Sequence, residues 1–426
     1  MVPMRLVTTT MCYPTPAEPD QGIFVQRRAL AVARCAGVDV RVVAPQLWCP
    51  GLRARRCFPD QTGQLPVTYP RMISVPGLSW ACDGLAYART LERAIVVERQ
   101  RSGHDFDLID AHFEYPDGVG AWLAGRRLGL PVAVTVRGKI VSLSRRAIRR
   151  MQIGAMLRGV DALIAVSASL AAWVHRIGGS DLSVNIIPNG IDETIFHSTG
   201  QADAKSRLGW DARARYVLAV GHLQRVKGFD QLVDVLPGVR RAMGDVRLVL
   251  AGSRRGEPRF QARLERAIAR INAPQGNAPS IQFTGPVSGT QLNLMYNAAD
   301  LFVNASRSEG WSNAISEALA AGTPVVATDV GGNREQIRSE EMGTLVSGDD
   351  LNALRTAMIN ALSKEWNRAV IAAHGRRRTH DRVAEEVLAV FERILANPPS
   401  SVAATGRGVE TVPPPGRGAS AAEVPA

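Results

Sequence analysis

The segment that most limits what this chain can fold into is Ser306–Thr328, SRSEGWSNAISEALAAGTPVVAT. The apolar run Leu301-Phe302-Val303 leads into it as a short strand, and a polar turn follows at Gly310. Apolar spacing then predicts a helix over about Asn313–Ala321, stopped by Gly322-Thr323-Pro324, with a second strand from Val325. Strand, loop, helix, turn and strand make up the unit of a parallel α/β sheet. Glu309 lies in the loop at the C-terminal end of the first strand, and Glu317 lies about one helical turn in. The helix N-terminus between them offers unpaired N–H groups and partial positive charge, a seat for phosphate or a hydroxyl-rich ligand. Their eight-residue separation would span about 12 Å if helical. Paired carboxylates that share a glycosidic bond stand roughly 5 to 9.5 Å apart. The two glutamates are therefore predicted to meet different parts of one long ligand.

Glu309 and Glu317 form an E-x7-E pattern, and the run EALAAGTPVVATDVGG continues to Gly332. Here the chain resembles the retaining glycosyltransferases of family 4, and its subgroup that builds surface polysaccharides. The resemblance implies a GT-B fold, with two doubly wound Rossmann-like domains facing across a cleft. It also implies that Glu309 faces a donor sugar and Glu317 a nucleotide ribose, with Gly310 and Asn313 in the same nucleotide-sugar site.

Further stretches extend the likeness over about Met4–Leu395. Met4–Thr9 reads as a strand, CYPTPAEPDQG as a loop ending at Gly22, and the residues from Ile23 as a helix before a strand at Val38–Ala44. The P-x-x-G-x-F-V pattern implies that Gly22 lets the backbone approach donor phosphates. The alternative is an ordinary turn glycine at positive φ. Phe106–His112 reads as a strand. By resemblance His112 lies beside sugar and acceptor, while Asp110 stands where many relatives carry another histidine. Arg137-Gly138-Lys139 follows the strand Val132–Val136, a position the family places near the acceptor. GHLQRVKG, Gly221–Gly228, resembles G-R-L-x-x-x-K-G, whose cations neutralise the donor diphosphate. Lys227 matches, His222 replaces the arginine, and Arg225 is positioned in sequence to supply the missing charge. Asp105-Phe106-Asp107 matches a D-x-D metal pattern of the other glycosyltransferase fold. It lies at the start of a strand rather than at the ligand end, so no metal or other cofactor is assigned.

The 426 residues suggest two or three domains. The turn former Asn189-Gly190 begins a segment resembling the family's domain junction. Residues 1–190 are read as an acceptor-side domain and 191–379 as a nucleotide-sugar-binding domain. A helix at about 380–396 packs back on the first domain, and a Pro/Gly/Ala-rich tail at 397–426 is read as disordered. The long connection Gln46–Leu78, with Arg53, Arg55 and Arg56, is read as irregular.

Composition narrows the partners. No apolar run reaches the ~20 residues of a membrane span, and the N-terminus lacks a signal-peptide pattern. These readings suggest a cytoplasmic location. The five cysteines contain no C-x-x-C pair, which argues against a disulfide framework or zinc site and for buried, inert thiols. The +12 net charge is concentrated between Gly118 and Val160, which holds nine Lys or Arg and no Asp or Glu. Within it, Ser142–Leu157 predicts an amphipathic helix. Ile148, Met151, Ile153 and Leu157 form its apolar stripe, and Arg145, Arg146, Arg149 and Arg150 its basic face. Such a helix suits an anionic membrane surface and a polyprenyl-linked or glycan acceptor, or equally a core-packed helix with a solvated basic face. Trp122 is the only aromatic residue in the segment, which argues against nucleic acid. The alternatives are a sugar-nucleotide epimerase on the same fold and a non-catalytic binding relative.

Overall fold

The computed structural model describes residues 3–49, 65–75, 81–254, 256–273 and 279–397. Arg53, Arg55, Arg56, Cys57 and the C-terminal tail lie outside them. The strands in chain order are β1 (Met4–Thr9), β2 (Val38–Val43), β3 (Gln46–Trp48), β4 (Val67–Thr68), β5 (Arg71–Ile73), β6 (Leu108–His112), β7 (Val132–Val136), β8 (Ala162–Ala165) and β9 (Val184–Ile186). There follow β10 (Arg215–Val220), β11 (Val246–Ala251), β12 (Ile281–Gly285), β13 (Leu301–Asn304), β14 (Val325–Thr328) and β15 (Gly343–Val346). They form one seven-stranded sheet, β4-β2-β1-β6-β7-β8-β9, and one six-stranded sheet, β12-β11-β10-β13-β14-β15. Every pairing in both is parallel. This is the GT-B architecture. The supposedly irregular connection after Val43 contributes β4 to the first sheet and pairs β3 with β5. These strands run only two or three residues, too short for alternation to reveal.

Strands such as VAVTV and LFVN are buried along their whole length, as expected when helices cover both faces of a parallel sheet. Successive residues split between faces. Val7 packs with Tyr87, Leu91 and Val134 on one side, while Leu6 packs with Val25, Val387 and Phe391 on the other. The last two belong to the closing helix His380–Ala396, which therefore completes the core of the first sheet, although β10–β15 precede it in sequence. The chain passes between the two sheets at Asn189–Ile191 and again near Arg378–His380. The passages are tied together by Ile191 N–H to Arg378 O (2.8 Å) and His380 N–H to Ile191 O (3.1 Å).

The single amphipathic helix expected over Ser142–Leu157 is two helices, Ile140–Leu143 and Ala147–Gly159. Its apolar stripe also divides. Ile153 and Leu157 are in the core with Met156, whereas Ile148 and Met151 are 44% and 68% exposed. At 3.6 residues per turn the two sets fall on nearly opposite sides of the helix. No two of the described cysteines are bonded to each other, and Cys82 is exposed rather than buried.

Strand order reverses direction between β1 and β6 in the first sheet and between β10 and β13 in the second. In open parallel sheets a crevice opens at that switch point, outside the strands' C-terminal ends. The two crevices face each other and form one cleft.

Candidate active site

The cleft is a cavity of about 430 Å³. From the first sheet it is lined by Asp20, Ile23, Phe24 and Arg137, with Asn189 from the linker. From the second it is lined by Gly221, His222, Lys227, Ser253, Asn313 and Glu317, and by the loop Glu309–Ser312.

Lys227 ends a single 3-10 turn, Arg225–Lys227. Gly228 closes that turn at φ 67°, where an added Cβ would lie 1.8 Å from the Ala305 carbonyl oxygen. Glycine is required for this close approach, and it brings Lys227 against the loop after β13. Lys227 Nζ lies 2.6 Å from Glu309 Oε1, which also accepts from Ser306 Oγ at 2.7 Å. Glu317 lies in the helix Asn313–Ala320, whose N-cap Ser312 accepts from Ile315 N–H. Its Oε2 accepts from Tyr296 Oη at 3.0 Å, and Arg27 NH1 is 4.0 Å from Oε1. Burial raises the Glu317 carboxyl to about 7, against the opposing effects of Arg27 and the Tyr296 hydrogen bond. Arg27 comes from the first domain and also stacks on Phe196, 5.5 Å from the ring centre. It therefore reaches Glu317 across the cleft. No local pattern in the sequence marks it.

His222 lines the cleft and pairs through Nδ1 with Ser253 Oγ at 2.7 Å. Arg225 departs from the expectation that it supplies a second phosphate-binding charge. Its side chain is on the exposed side of the 3-10 turn and is absent from the cleft lining. The second cation in the cleft is Arg137, from the opposite domain. Gly22 adopts φ 67° and packs 1.9 Å (as a notional Cβ) from the Cys12 carbonyl oxygen. It sets the start of the helix Ile23–Arg34, so that Ile23 and Phe24, rather than Gly22 itself, reach the cleft.

His112 also sits differently from expectation. Its ring is 0% exposed and lies one layer behind the cleft. Arg137 Nε–H donates to His112 Nδ1 at 2.9 Å, so the ring proton is on Nε2 and points to Asp110 Oδ2 at 3.2 Å. Burial, with Arg28 and Arg137 nearby, lowers the imidazole to about 3 despite Asp110. A neutral ring with both nitrogens engaged positions Arg137 and does not itself exchange protons at neutral pH. Asp110 is held in turn by Arg28 NH2 at 2.6 Å. Burial disfavours the Asp110 charge, but Arg28 and His112 outweigh it and hold the carboxyl well below its ordinary range. Beyond Arg137 the chain continues: NH1 donates to Asn189 Oδ1 (2.8 Å), whose Nδ2 donates to Asn313 Oδ1 (2.9 Å). Polar contacts thus run from the first helix of one domain to the ligand-facing helix of the other. Glu114 is fully buried and accepts from the Arg137 and Gly138 N–H groups at 2.9 and 3.2 Å. It fixes the backbone of the same loop, and Gly310 packs against that loop from across the cleft.

The Arg28–Asp110 pair is buried, so removing one partner strands the other. Asp110→Asn is expected to cost about 3–5 kcal/mol. Arg28→Met combined with Asp110→Asn is expected to recover part of that loss, as measured by urea unfolding.

The remaining basic residues lie outside the cleft. Lys139 is exposed with Nζ 4.6 Å from the Phe113 ring centre, and Arg149 stacks 5.1 Å from that of Tyr115. Arg145, Arg146 and Arg150 are exposed around Ile148 and Met151. The aspartates of the D-x-D pattern serve structural contacts: Asp107 accepts from Arg5 N–H at 2.7 Å, and Asp105 pairs with Arg99 at 2.7 Å.

Two facing parallel-sheet domains, with a lysine and two carboxylates converging in the crevice between them, define a GT-B glycosyltransferase. Residues 21–194 match the family model described as Glycosyltransferase Family 4, and residues 214–364 that described as Glycosyl transferases group 1. The chain is 32% identical over 249 residues to the lipopolysaccharide core biosynthesis mannosyltransferase LpsB of Rhizobium meliloti, covering 56% of this chain and 68% of that protein. It is 28% identical to a D-inositol 3-phosphate glycosyltransferase of Salinispora tropica, covering 70% of this chain and 66% of that protein. It is 26% identical to the putative teichuronic acid biosynthesis glycosyltransferase TuaC of Bacillus subtilis, covering 77% and 82%. The chain belongs to glycosyltransferase family 4.

Solved structures agree on the fold. Sucrose-phosphate synthase from Thermosynechococcus elongatus superposes with a TM-score of 0.70 at 22% identity, covering 92% of this chain and 96% of that one. Anabaena HepE, solved with UDP and glucose, gives 0.69 at 19% identity, covering 91% and 99%.

Proposed function

We propose that this glycosyltransferase moves a hexose-type sugar from a nucleotide diphosphate sugar to a hydroxyl of a glycan or lipid-linked acceptor, with retention of anomeric configuration, in cell-surface polysaccharide or glycoconjugate synthesis. The observation that carries the proposal is the convergence of Lys227, Glu309 and Glu317 on one cleft at the switch point of the second sheet. Support also comes from the structural neighbour HepE, which was solved with UDP-glucose, and from LpsB and TuaC, which are named for surface-polymer synthesis.

In this reading Glu317 accepts from the ribose hydroxyls, Glu309 from the sugar, and Lys227 faces the diphosphate. The C1–O bond to the diphosphate breaks, its electron pair passes to the leaving oxygen, and the acceptor oxygen bonds to C1 on the same face as its hydroxyl proton passes to that leaving oxygen. Charge grows on the diphosphate as that bond breaks, and a fixed cation is worth most at that moment. Lys227 and, across the cleft, Arg137 supply it, so transfer is expected to need no added metal. For Lys227 to reach the phosphate it must share or leave its contact with Glu309, and donor binding is therefore coupled to release of the Glu309 carboxylate toward the sugar.

The acceptor approaches from the first domain. Ile148 and Met151 stand exposed among Arg145, Arg146 and Arg150, a composition that suits the anionic cytoplasmic face of a membrane. Among the described residues no helix is long and apolar enough to cross a membrane, so the association would be peripheral.

Thermal unfolding with UDP, GDP, ADP or TDP, each with and without Mg²⁺, tests the reading. One nucleotide is expected to raise the midpoint by several degrees irrespective of metal. No shift with any of them would count against the nucleotide site.

A further inference from the structure

The helix Asn313–Ala320 has a second occupied face. Asn313 and Glu317 look into the cleft, whereas Ser316 and Leu319 look into a separate cavity of about 230 Å³. Its rim carries Arg338, Arg377 and Arg382, and it reaches both places where the chain crosses between domains, at Asn189–Ile191 and at Arg378. Trp311 lines both cavities and separates them.

The charge around this cavity is one-sided. Among the described residues Glu335 is the carboxylate that lines it, Glu386 pairs with two of its arginines, and both are committed. Glu335 accepts from the Ala168 and Ser169 N–H groups at 3.0 and 3.4 Å, at the start of the helix Ala168–Gly178 in the other domain. Glu386 holds Arg378 in a two-point pair at 3.0 and 2.6 Å, leaving Arg382 at 3.9 Å. Arg338 spends Nε on the Glu335 carbonyl at 2.8 Å and keeps its terminal nitrogens for solvent or ligand. Arg377 has no side-chain hydrogen bond or ion pair among the described residues. His374 lies between them, and burial, then Arg377 and Arg338, lower its imidazole from the ordinary value. Three guanidinium groups around one concave surface repel one another until an anion joins them, and their planar forks match phosphate oxygens.

We propose that this cavity is a regulatory site for a small phosphate-bearing polyanion that favours closure of the cleft. Arg338 belongs to the second domain, and Arg382 lies on the closing helix that is packed into the first. An anion held between them bridges the two bodies at the crossing point and supports the back of the helix that carries Glu317. By thermodynamic reciprocity, what closes the cleft for the donor also tightens the regulatory site.

Calorimetric titration with inorganic pyrophosphate at constant ionic strength tests this. Pyrophosphate also resembles the donor diphosphate, so the cleft binds it independently, and wild type is expected to show two sites. Lys227→Ala should retain the hinge site. Arg338→Ala with Arg377→Ala should lose it, by about tenfold or more in affinity per arginine, while keeping the cleft site and an unchanged melting temperature, both side chains being exposed. In wild type the anion should also tighten nucleoside diphosphate binding about fivefold when supplied at concentrations below those that fill the cleft. A single site abolished by Lys227→Ala, unaltered binding in the double arginine variant, or no binding to wild type would each overturn the proposal. These results are separable from the catalytic reading, because the double arginine variant leaves the cleft intact.

Discussion

Lys227→Ala is expected to lower kcat/KM by about 10²–10³-fold, with most of the loss in kcat. Lys227 Nζ lies 2.6 Å from the Glu309 carboxylate in the cleft. The interaction it makes with a leaving diphosphate strengthens as the sugar–oxygen bond breaks, so it belongs to the transition state more than to the bound donor. The same change also affects the resting protein. Glu309 has a side-chain exposure of 9%, and without Lys227 it keeps only Ser306 as its hydrogen-bond donor among the described residues. A loss of about 1–3 kcal/mol in stability is expected, so the kinetic comparison is to be made well below the melting temperature. Lys227→Arg keeps the charge and is expected to recover part of the activity, but the guanidinium plane does not fit a site built for a point donor.

Glu317→Gln is expected to remove a pH dependence. The folded-state value of about 7 lies above the ordinary carboxyl value of 4.5 because the side chain is buried. Below pH 4.5 both folded and unfolded chains hold the proton and Glu317 has no effect on stability. Between 4.5 and 7 the unfolded chain loses its proton while the folded one keeps it, so stability falls as pH rises and levels off above 7. The difference is worth up to about 3 kcal/mol. Glu317→Gln is expected to gain stability relative to wild type at pH 8 but not at pH 4. Ligand binding runs the other way. Ribose hydroxyls donate to the ionised carboxylate, so nucleotide affinity in wild type should rise about tenfold from pH 6 to pH 8, whereas Glu317→Gln binds weakly and without that slope. Calorimetry at the two pH values, in buffers of different ionisation enthalpy, separates the two behaviours through the proton released on binding.

What was legible in the sequence was local. Ser306–Thr328 announces its strand, turn, helix and stop by apolar period and by Gly322-Thr323-Pro324, and the helix found, Asn313–Ala320, begins where the pattern places it. The parallel doubly wound architecture likewise follows from short apolar runs separated by helical ones. What was not legible depends on partners far apart in the chain. Arg27 meets Glu317 across 290 residues of sequence, and neither its type nor its spacing shows that. The Arg28–Asp110–His112–Arg137–Asn189–Asn313 chain links residues from five separate stretches, and each reads locally as an ordinary polar residue on a strand, helix or turn. His112 was recognisable as a strand-end histidine, but its burial follows from Arg137 folding over it. Arg225 is the converse case. It is adjacent in sequence to the right residues, but it is exposed and outside the cleft lining.

The central claim is that this cleft breaks the bond between a sugar and a nucleoside diphosphate without a metal. Phosphorus NMR of the purified protein with sugar nucleotides in the presence of EDTA tests it most directly, because slow hydrolysis reports the same bond cleavage when no acceptor is supplied. Release of nucleoside diphosphate from one donor by wild type, and its loss in Lys227→Ala, is the result predicted. Equal release by the two proteins, or release that appears only when a divalent metal is restored, would contradict it.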